Sequence, residues 1–314
     1  MNQQISIILN QVGVFGILMS IGYVFMKKNI LNTATLKGIS ALLMKLLMPV
    51  TTFYVVYDSG ATIELFIENG LFFVIVLVLF LVLIGIGMLF SKVLKMQNAE
   101  AIPFILYFAF ANNNFFGLPI ITSLFTSAES SINFTQNLIV DSVLLWTLGI
   151  YLCTKHMKQE NFLQHIKKSV NSITIAVIIA FAMIALNIQI PRVLNGALIG
   201  FKQGSSSIAM FYVGCLLAET DLSGIFKDAK LYVLVFVKMI ALPVLILLFL
   251  KPVLGEESAV VLAILMGLPG KIMITIMVGT YELNDYYAAK LVFATTIVAL
   301  FTIPLIIWVN TLLI

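Results

Sequence analysis

The chain has 314 residues, of which 61% are hydrophobic and only 10% charged, and its mean hydropathy is +1.10. Globular domains carry roughly a quarter charged residues, so this composition excludes a water-soluble protein. The net charge of +4 rests on 17 lysines and one arginine, Arg192, with no basic cluster interleaved with aromatics, which excludes a nucleic-acid-binding protein.

Apolar runs of about 20 residues are long enough to cross a bilayer. They predict ten spans, near residues 5–26, 35–57, 67–91, 103–125, 135–155, 171–188, 194–217, 230–250, 257–280 and 287–312. All are expected to be helices, because backbone in lipid must satisfy its own hydrogen bonds. The first run, Ile5 to Met26, has no basic segment before it and no small-residue cleavage site after it, and reads as a retained span.

Span two carries Lys45 four residues before Pro49. Span four reads Phe110-Ala111-Asn112-Asn113-Asn114-Phe115-Phe116-Gly117-Leu118-Pro119, three amides and a helix breaker near mid-membrane. Proline removes one backbone bond and obstructs another, and asparagine is a poor helix former. Two readings are open: an unwound crossover facing a ligand, or a kinked helix whose asparagines bond its neighbours. Asp141 in span five is the one acid within an apolar run. It is the natural counter-charge or proton acceptor, or else is hydrated near its helix end. His156 and His165 fall in a charged loop and read as solvated, while Cys153 and Cys215 lie in apolar runs and read as packing residues.

Span seven carries Lys202 beside Gly204-Ser205-Ser206-Ser207. Lys45 and Lys202 are secondary candidates to line a cavity, with pairing across helices or snorkelling the plainer readings. Lys238 in span eight is expected to snorkel to the interface. Span nine reads Gly267-Leu268-Pro269-Gly270-Lys271, and its Gly-Leu-Pro repeats that of span four 150 residues on. A cation at the centre of a membrane helix costs about 2.5–3.5 kcal/mol on insertion scales, so Lys271 is read as functional. Three roles are open to it: attracting a substrate carboxylate, neutralising an acid, or taking the place of a coupling cation.

Twelve lysines (27, 28, 37, 92, 95, 155, 158, 167, 168, 227, 230 and 290) lie at loops on one side and only Arg192 and Lys251 on the other. The lysine-rich side is cytoplasmic by the positive-inside rule, which places both termini outside a cell membrane. Ten spans divide into halves of odd number, so any internal repeat is inverted, and paired Gly-Pro breaks in two inverted halves are a mark of secondary transporters. No P-loop, nucleophile elbow, zinc-protease helix or dinucleotide fingerprint occurs, so neither an ATP-driven pump nor an enzyme is expected, and no cofactor or metal.

The sequence resembles the auxin efflux carrier family, which includes bacterial malate and malonate permeases and belongs with the bile acid:sodium symporter-like folds. Asn112, Phe115, Phe116, Gly117 and Pro119 match its first crossover segment, Pro269 its second crossover proline, and Met48-Pro49 its proline in span two. Tyr281 to Tyr287 and Ala288-Ala289 resemble the opening of its last span. The resemblance implies an all-α polytopic membrane protein of ten transmembrane helices, arranged as two inverted five-helix repeats, residues 1–160 and 161–314. Spans one, two, six and seven would form a scaffold. Spans three to five and eight to ten would form a mobile transport domain with broken helices four and nine crossing. The implied activity is elevator-type transport of small organic anions, such as malate or malonate, by an electrogenic, proton-coupled or exchange route, with a homodimer by family analogy. The substrate-binding core is expected at Asn112, Asn113, Asn114, Gly117, Pro119, Pro269, Gly270 and Lys271, with Asp141 and Lys271 as the coupling or ion pair. Two departures stand out: Asn113 and Asn114 replace a small residue and glycine, and Lys271 stands where members carry a small or polar residue. The alternatives are a sodium-coupled symporter of the bile acid type and a non-transporting membrane receptor.

Overall fold

The computed structural model describes residues 2–58, 63–155, 172–219, 224 and 227–313. His156 and His165 lie outside these residues. The described chain is almost entirely helical and contains no strand. Its elements are α1 (Asn2–Lys27), α2 (Thr33–Tyr57), the short α3 (Ile63–Glu68), α4 (Gly70–Val93), α5 (Asn98–Ala109), α6 (113–124) and α7 (Ala128–Thr154). After the interval come α8 (Ser172–Ala185), α9 (Arg192–Glu219), α10 (Ala229–Leu254), α11 (Glu256–Gly267), α12 (Ile272–Thr280) and α13 (Asp285–Leu312).

Five of these helices, α2, α4, α7, α10 and α13, are long and apolar enough to cross a membrane by length and composition. Their outward faces remain apolar. On α4, Leu71, Val74, Val78, Leu81, Leu89 and Val93 are exposed, as are Phe236, Leu245, Leu248 and Phe249 on α10. Exposed aliphatic surface of this extent suits lipid and not water. The chain is thus an all-α, multi-pass membrane protein.

Proline shapes the long helices. A π-helical turn precedes a proline in three places: Leu43–Leu47 before Pro49, Asn113–Gly117 before Pro119, and Val235–Ala241 before Pro243. A prolyl ring clashes with the carbonyl four residues back and offers that carbonyl no N–H. Widening the turn relieves the clash while the helix continues.

Helix α7 begins at Ala128, earlier than residue 135 where the apolar run starts, because its polar first turns are folded and held. Ser127 caps them by accepting from the Ser130 amide at 3.0 Å. Across the α7–α11 contact, Ser127 donates to Glu257, Ser258 donates to Glu129, and Asn133 donates to Ser258 at 2.8 Å. Hydropathy underrates a polar helix end that is paired inside the protein.

The most extensive pairing among the described helices is α1 along α9, and α2 pairs closely with both α8 and α9. Backbone approaches backbone where Gly22 faces α9 and Gly214 faces α1. A Cβ on Gly214 would lie 1.9 Å from the Met19 carbonyl oxygen, and one on Gly22 would lie 2.1 Å from that of Phe211. Thr51 Oγ1 donates to Ser205 Oγ at 2.7 Å, so part of the serine run joins α9 to α2. Cys215 is buried in the same contact, its Sγ 3.3 Å from the Gly22 carbonyl, and Cys153 is buried in α7.

Overpacking a close helix contact costs about 1–3 kcal/mol or more. Gly214→Ala should therefore lower the thermal unfolding midpoint in detergent clearly. Gly85→Ala, at an exposed position with open space around it, should leave the midpoint unchanged or raise it, since glycine costs a helix about 0.5–1 kcal/mol relative to alanine. Equal midpoints for the two variants would refute the close-packing account.

Candidate functional site

Two helices break opposite each other in the interior. Helix α5 ends at Ala109 and Phe110 is extended, at φ −106° and ψ 126°. Helix α11 ends at Gly267, and Leu268 is extended at φ −63° and ψ 155°. The two interruptions meet in an antiparallel bridge between Ala111 and Gly270, and the Asn112 amide donates to the Pro269 carbonyl at 3.0 Å. The chain resumes as α6 from Asn113 and as α12 from Ile272. The Gly-Leu-Pro of one half thus lies inside α6, at the end of its π turn and several residues past the break at 110–112, whereas its counterpart runs from the end of α11 into the extended link.

This crossing is enclosed. Residues 258–267 of α11 and 272–278 of α12 are buried without interruption, as are 103–109 of α5. Neighbours fix it by hydrogen bonds. The Gly270 amide donates to Thr295 Oγ1 on α13 at 3.0 Å, and the Tyr107 and Thr275 hydroxyls lie 2.8 Å apart. Gly270 admits no side chain, since a Cβ would sit 2.6 Å from the Tyr107 ring.

The charged groups converge here. Lys271, in extended conformation, precedes the first turn of α12, where the helix dipole disfavours a cation. The Asp141 carboxylate supplies the counter-charge: Lys271 Nζ and Asp141 Oδ2 form a buried ion pair. Asp141 lies near the middle of α7 and is 0% exposed, which corrects the alternative of a hydrated acid near the helix end. Asn113 lies beside the same carboxylate.

Lys238 corrects the sequence expectation outright. It does not snorkel, but is 2% exposed within the π-helical turn of α10. Its Nζ donates to the carbonyls of Tyr107 at 2.8 Å and Phe110 at 3.2 Å, at the end of α5. Asp141 and Lys271 both lie within electrostatic reach of it. The depth of a residue along its own helix does not reveal that a neighbouring helix ends beside it; the sequence offered only a lysine five residues before Pro243.

Among the remaining predicted residues, Asn112, Asn113 and Asn114 are all buried at the crossing, as are Gly117, Pro269 and Gly270. Pro119 occupies the first turn of α6 after the π turn. Lys202 lies elsewhere. It pairs with Asp58 at 3.5 Å, sits 4.8 Å from the Tyr54 ring centre, and lines a cavity of about 130 Å³ with Thr122, Ser130, Ser131 and Thr135. Lys45 is exposed on the π turn of α2 and joins neither group.

Sequence reasoning missed one polar feature. Asn133, Asn137 and Asp141 repeat every four residues along α7, so they share a face, and all are fully buried. Neither amide atom of Asn137 has a protein partner, nor do the side-chain carbonyl oxygens of Asn113, Asn114 and Asn133, or Oδ1 of Asp141. Buried polar groups are almost always satisfied, so unused hydrogen-bonding capacity on this scale is unusual for a protein interior. The four-residue spacing was legible, but the span boundary at 135 concealed it.

Comparison with known proteins agrees with this architecture. The family described as "Membrane transport protein" matches residues 7–307, nearly the whole chain including both broken helices. No curated protein matches the sequence significantly.

Removing one member of a buried ion pair strands the other and costs about 3–5 kcal/mol. Asp141→Asn and Lys271→Met should each destabilise the protein to that extent in thermal or chemical unfolding in detergent. Asp141→Asn combined with Lys271→Met should lose much less than the sum of the single variants. Additive losses would show that the two side chains share no energy.

Proposed function

The chain belongs to the auxin efflux carrier-type family of membrane transport proteins, and we propose that it is a secondary transporter of small organic anions, with mono- and dicarboxylates of the malate or malonate kind as substrates. The family is one of transporters and not of enzymes.

The observation that carries the reading is the charge at the crossing. Two buried lysines and one buried aspartate meet there, a formal surplus of one positive charge in a region closed to water. An anion entering this region cancels the surplus. Its oxygens would also meet an amide donor, since an asparagine side chain offers two N–H groups at one end and Nδ2 of buried Asn137 has no partner among the described residues. The N-terminal ends of α6 and α12 face the same crossing and add positive partial charge. Asn112, Asn113, Asn114, Gly117, Pro119, Pro269, Gly270 and Lys271 form the substrate site in this reading, and Asp141 competes with the substrate for Lys271.

The helix pairing supports a division for movement. Helices α1, α2, α8 and α9 pair most extensively with one another, and the crossing helices pair with α4, α7, α10 and α13. In the proposed mechanism the first group is the scaffold, and the second, residues of spans three to five and eight to ten, carries the site across the membrane as a unit. The halves 1–160 and 161–314 are then inverted repeats, with both termini outside the cell. The cavity lined by Lys202 and Asp58 lies where α2 and α9 face α6 and α7, between the two groups, and belongs to the path toward the site.

Uptake of labelled malate, malonate and succinate into proteoliposomes tests the proposal. The wild-type protein should accumulate at least one of them saturably. Lys271→Ala should reduce that uptake at least about tenfold, equivalent to about 1.4 kcal/mol of lost interaction. Absence of transport for every carboxylate refutes the substrate class, and full activity of Lys271→Ala refutes the role of the lysine. If Asp141→Asn leaves uptake and its response to an imposed pH gradient unchanged, coupling does not pass through that residue.

A further inference from the structure

The end of α5 presents a geometry that the anion site does not use. In an unbroken helix the Tyr107 carbonyl would accept from the Ala111 amide, but Ala111 lies in the extended bridge to Gly270. The chain turns away, leaving the carbonyls of Tyr107 and Phe110 at the negative end of a buried half-helix. Converging carbonyls at the C-terminal end of a broken membrane helix are the kind of ligand set that holds a coupling cation in secondary transporters. Here a side chain fills the position, since Lys238 Nζ donates to both carbonyls from the π turn of α10.

We infer that the Lys238 ammonium is a resident cation: it occupies a cation seat formed by the Tyr107 and Phe110 carbonyls, so the crossing is held together without an inorganic cation. Each part of the local structure fits the assignment. The π turn sets Lys238 in a widened segment directly before Pro243. The groups facing the ammonium are the two carbonyls from α5, the Asp141 carboxylate from α7 and, as an opposing charge, Lys271 before α12. Lys271 spends its charge on Asp141, so the function of built-in cation, one of the three open to Lys271, falls to Lys238 instead. The consequence for coupling, that transport is indifferent to sodium, rests on the transport reading. The seat itself does not.

The experiment separates the two. Thermal unfolding of purified wild-type protein in detergent is compared in sodium, potassium, choline and methylammonium chloride at equal ionic strength, beside Lys238→Ala and Lys238→Gln. A cation that binds only the folded state raises the midpoint by mass action. The wild-type midpoint should be the same in all four salts. Lys238→Ala should be destabilised in choline, which is too large for the seat, and should regain several degrees in sodium or methylammonium. Lys238→Gln, which keeps an uncharged amide donor one bond nearer the backbone, should lose less and respond less to salt.

Stabilisation of the wild type by sodium over choline would overturn the inference. So would a Lys238→Ala variant destabilised equally in every salt, or one as stable as wild type in all of them. Failure of both variants to give monodisperse protein in any salt, methylammonium included, would assign the lysine to structure alone and also overturn it. If salt rescue is observed while the wild type moves no carboxylate, the seat stands and the transport reading falls. If carboxylate uptake occurs but requires sodium, the transport reading stands and the resident cation is refuted.

Discussion

Two helices that stop inside a bilayer release backbone groups where no water can take them up, and each group left unmatched costs several kcal/mol. That constraint organises the interior of this protein. The interruptions are placed opposite each other, so that one extended segment bonds the other through Ala111 and Gly270 and through the Asn112 amide to the Pro269 carbonyl. What they cannot give each other comes from neighbouring helices. Thr295 takes the Gly270 amide, and Lys238 gives to two carbonyls at the end of α5. The small size of Gly270 is a condition of the same arrangement, because the Tyr107 ring lies against the bridge at that residue. Helices α10 and α13 are therefore part of the crossing even though neither is interrupted there.

The two lysines at this crossing are chemically alike and energetically opposite. Lys238 lies at the C-terminal end of α5, where aligned peptide dipoles favour a cation and free carbonyls accept its protons. Lys271 lies at the N-terminal end of α12, where the dipole opposes it. Only a full negative charge makes the second position tolerable, and Asp141, buried near the middle of α7, is placed to supply it. This explains why the pair is buried while Lys238 has no carboxylate in direct contact among the described residues.

The sequence announced the bilayer through its composition, and the apolar runs located most helices to within a few residues. Proline and glycine at 267–270 announced one interruption, because a prolyl ring acts on its own chain whatever surrounds it, whereas the other lies at 110–112, ahead of the Gly-Leu-Pro at 117–119, which falls inside α6. Lys271 and Asp141 were legible as partners for a similar reason: each is costly alone, and few groups are available to answer it. Lys238 was not legible. Its partners are carbonyls, which every residue carries, and they become available only because a helix distant in sequence ends beside it. The start of α7 was misplaced at 135 because hydropathy scores serine, asparagine and glutamate as solvent-seeking, whereas at 127–133 they are matched by Glu257 and Ser258 of α11.

A transport cycle built on this site inherits a linkage from the ion pair. Under the proposed function, a carboxylate substrate and Asp141 seek the same ammonium, and a single lysine in a closed, low-dielectric space cannot satisfy two full negative charges. Binding the substrate at Lys271 therefore raises the energy of the ionised aspartate, and the system relaxes if Asp141 takes up a proton or draws nearer to Lys238, whose charge already lies within reach. Either response ties occupancy of the site to the charge of its surroundings, which is the requirement for coupling substrate movement to another ion. The second lysine has the complementary effect. By holding the end of α5 with a charge that cannot diffuse away, it keeps the crossing assembled in the empty state, so that the carrier can return without substrate or continue by exchange. Under that reading, the balance between those two routes depends on how far Asp141 can move between the two ammonium groups.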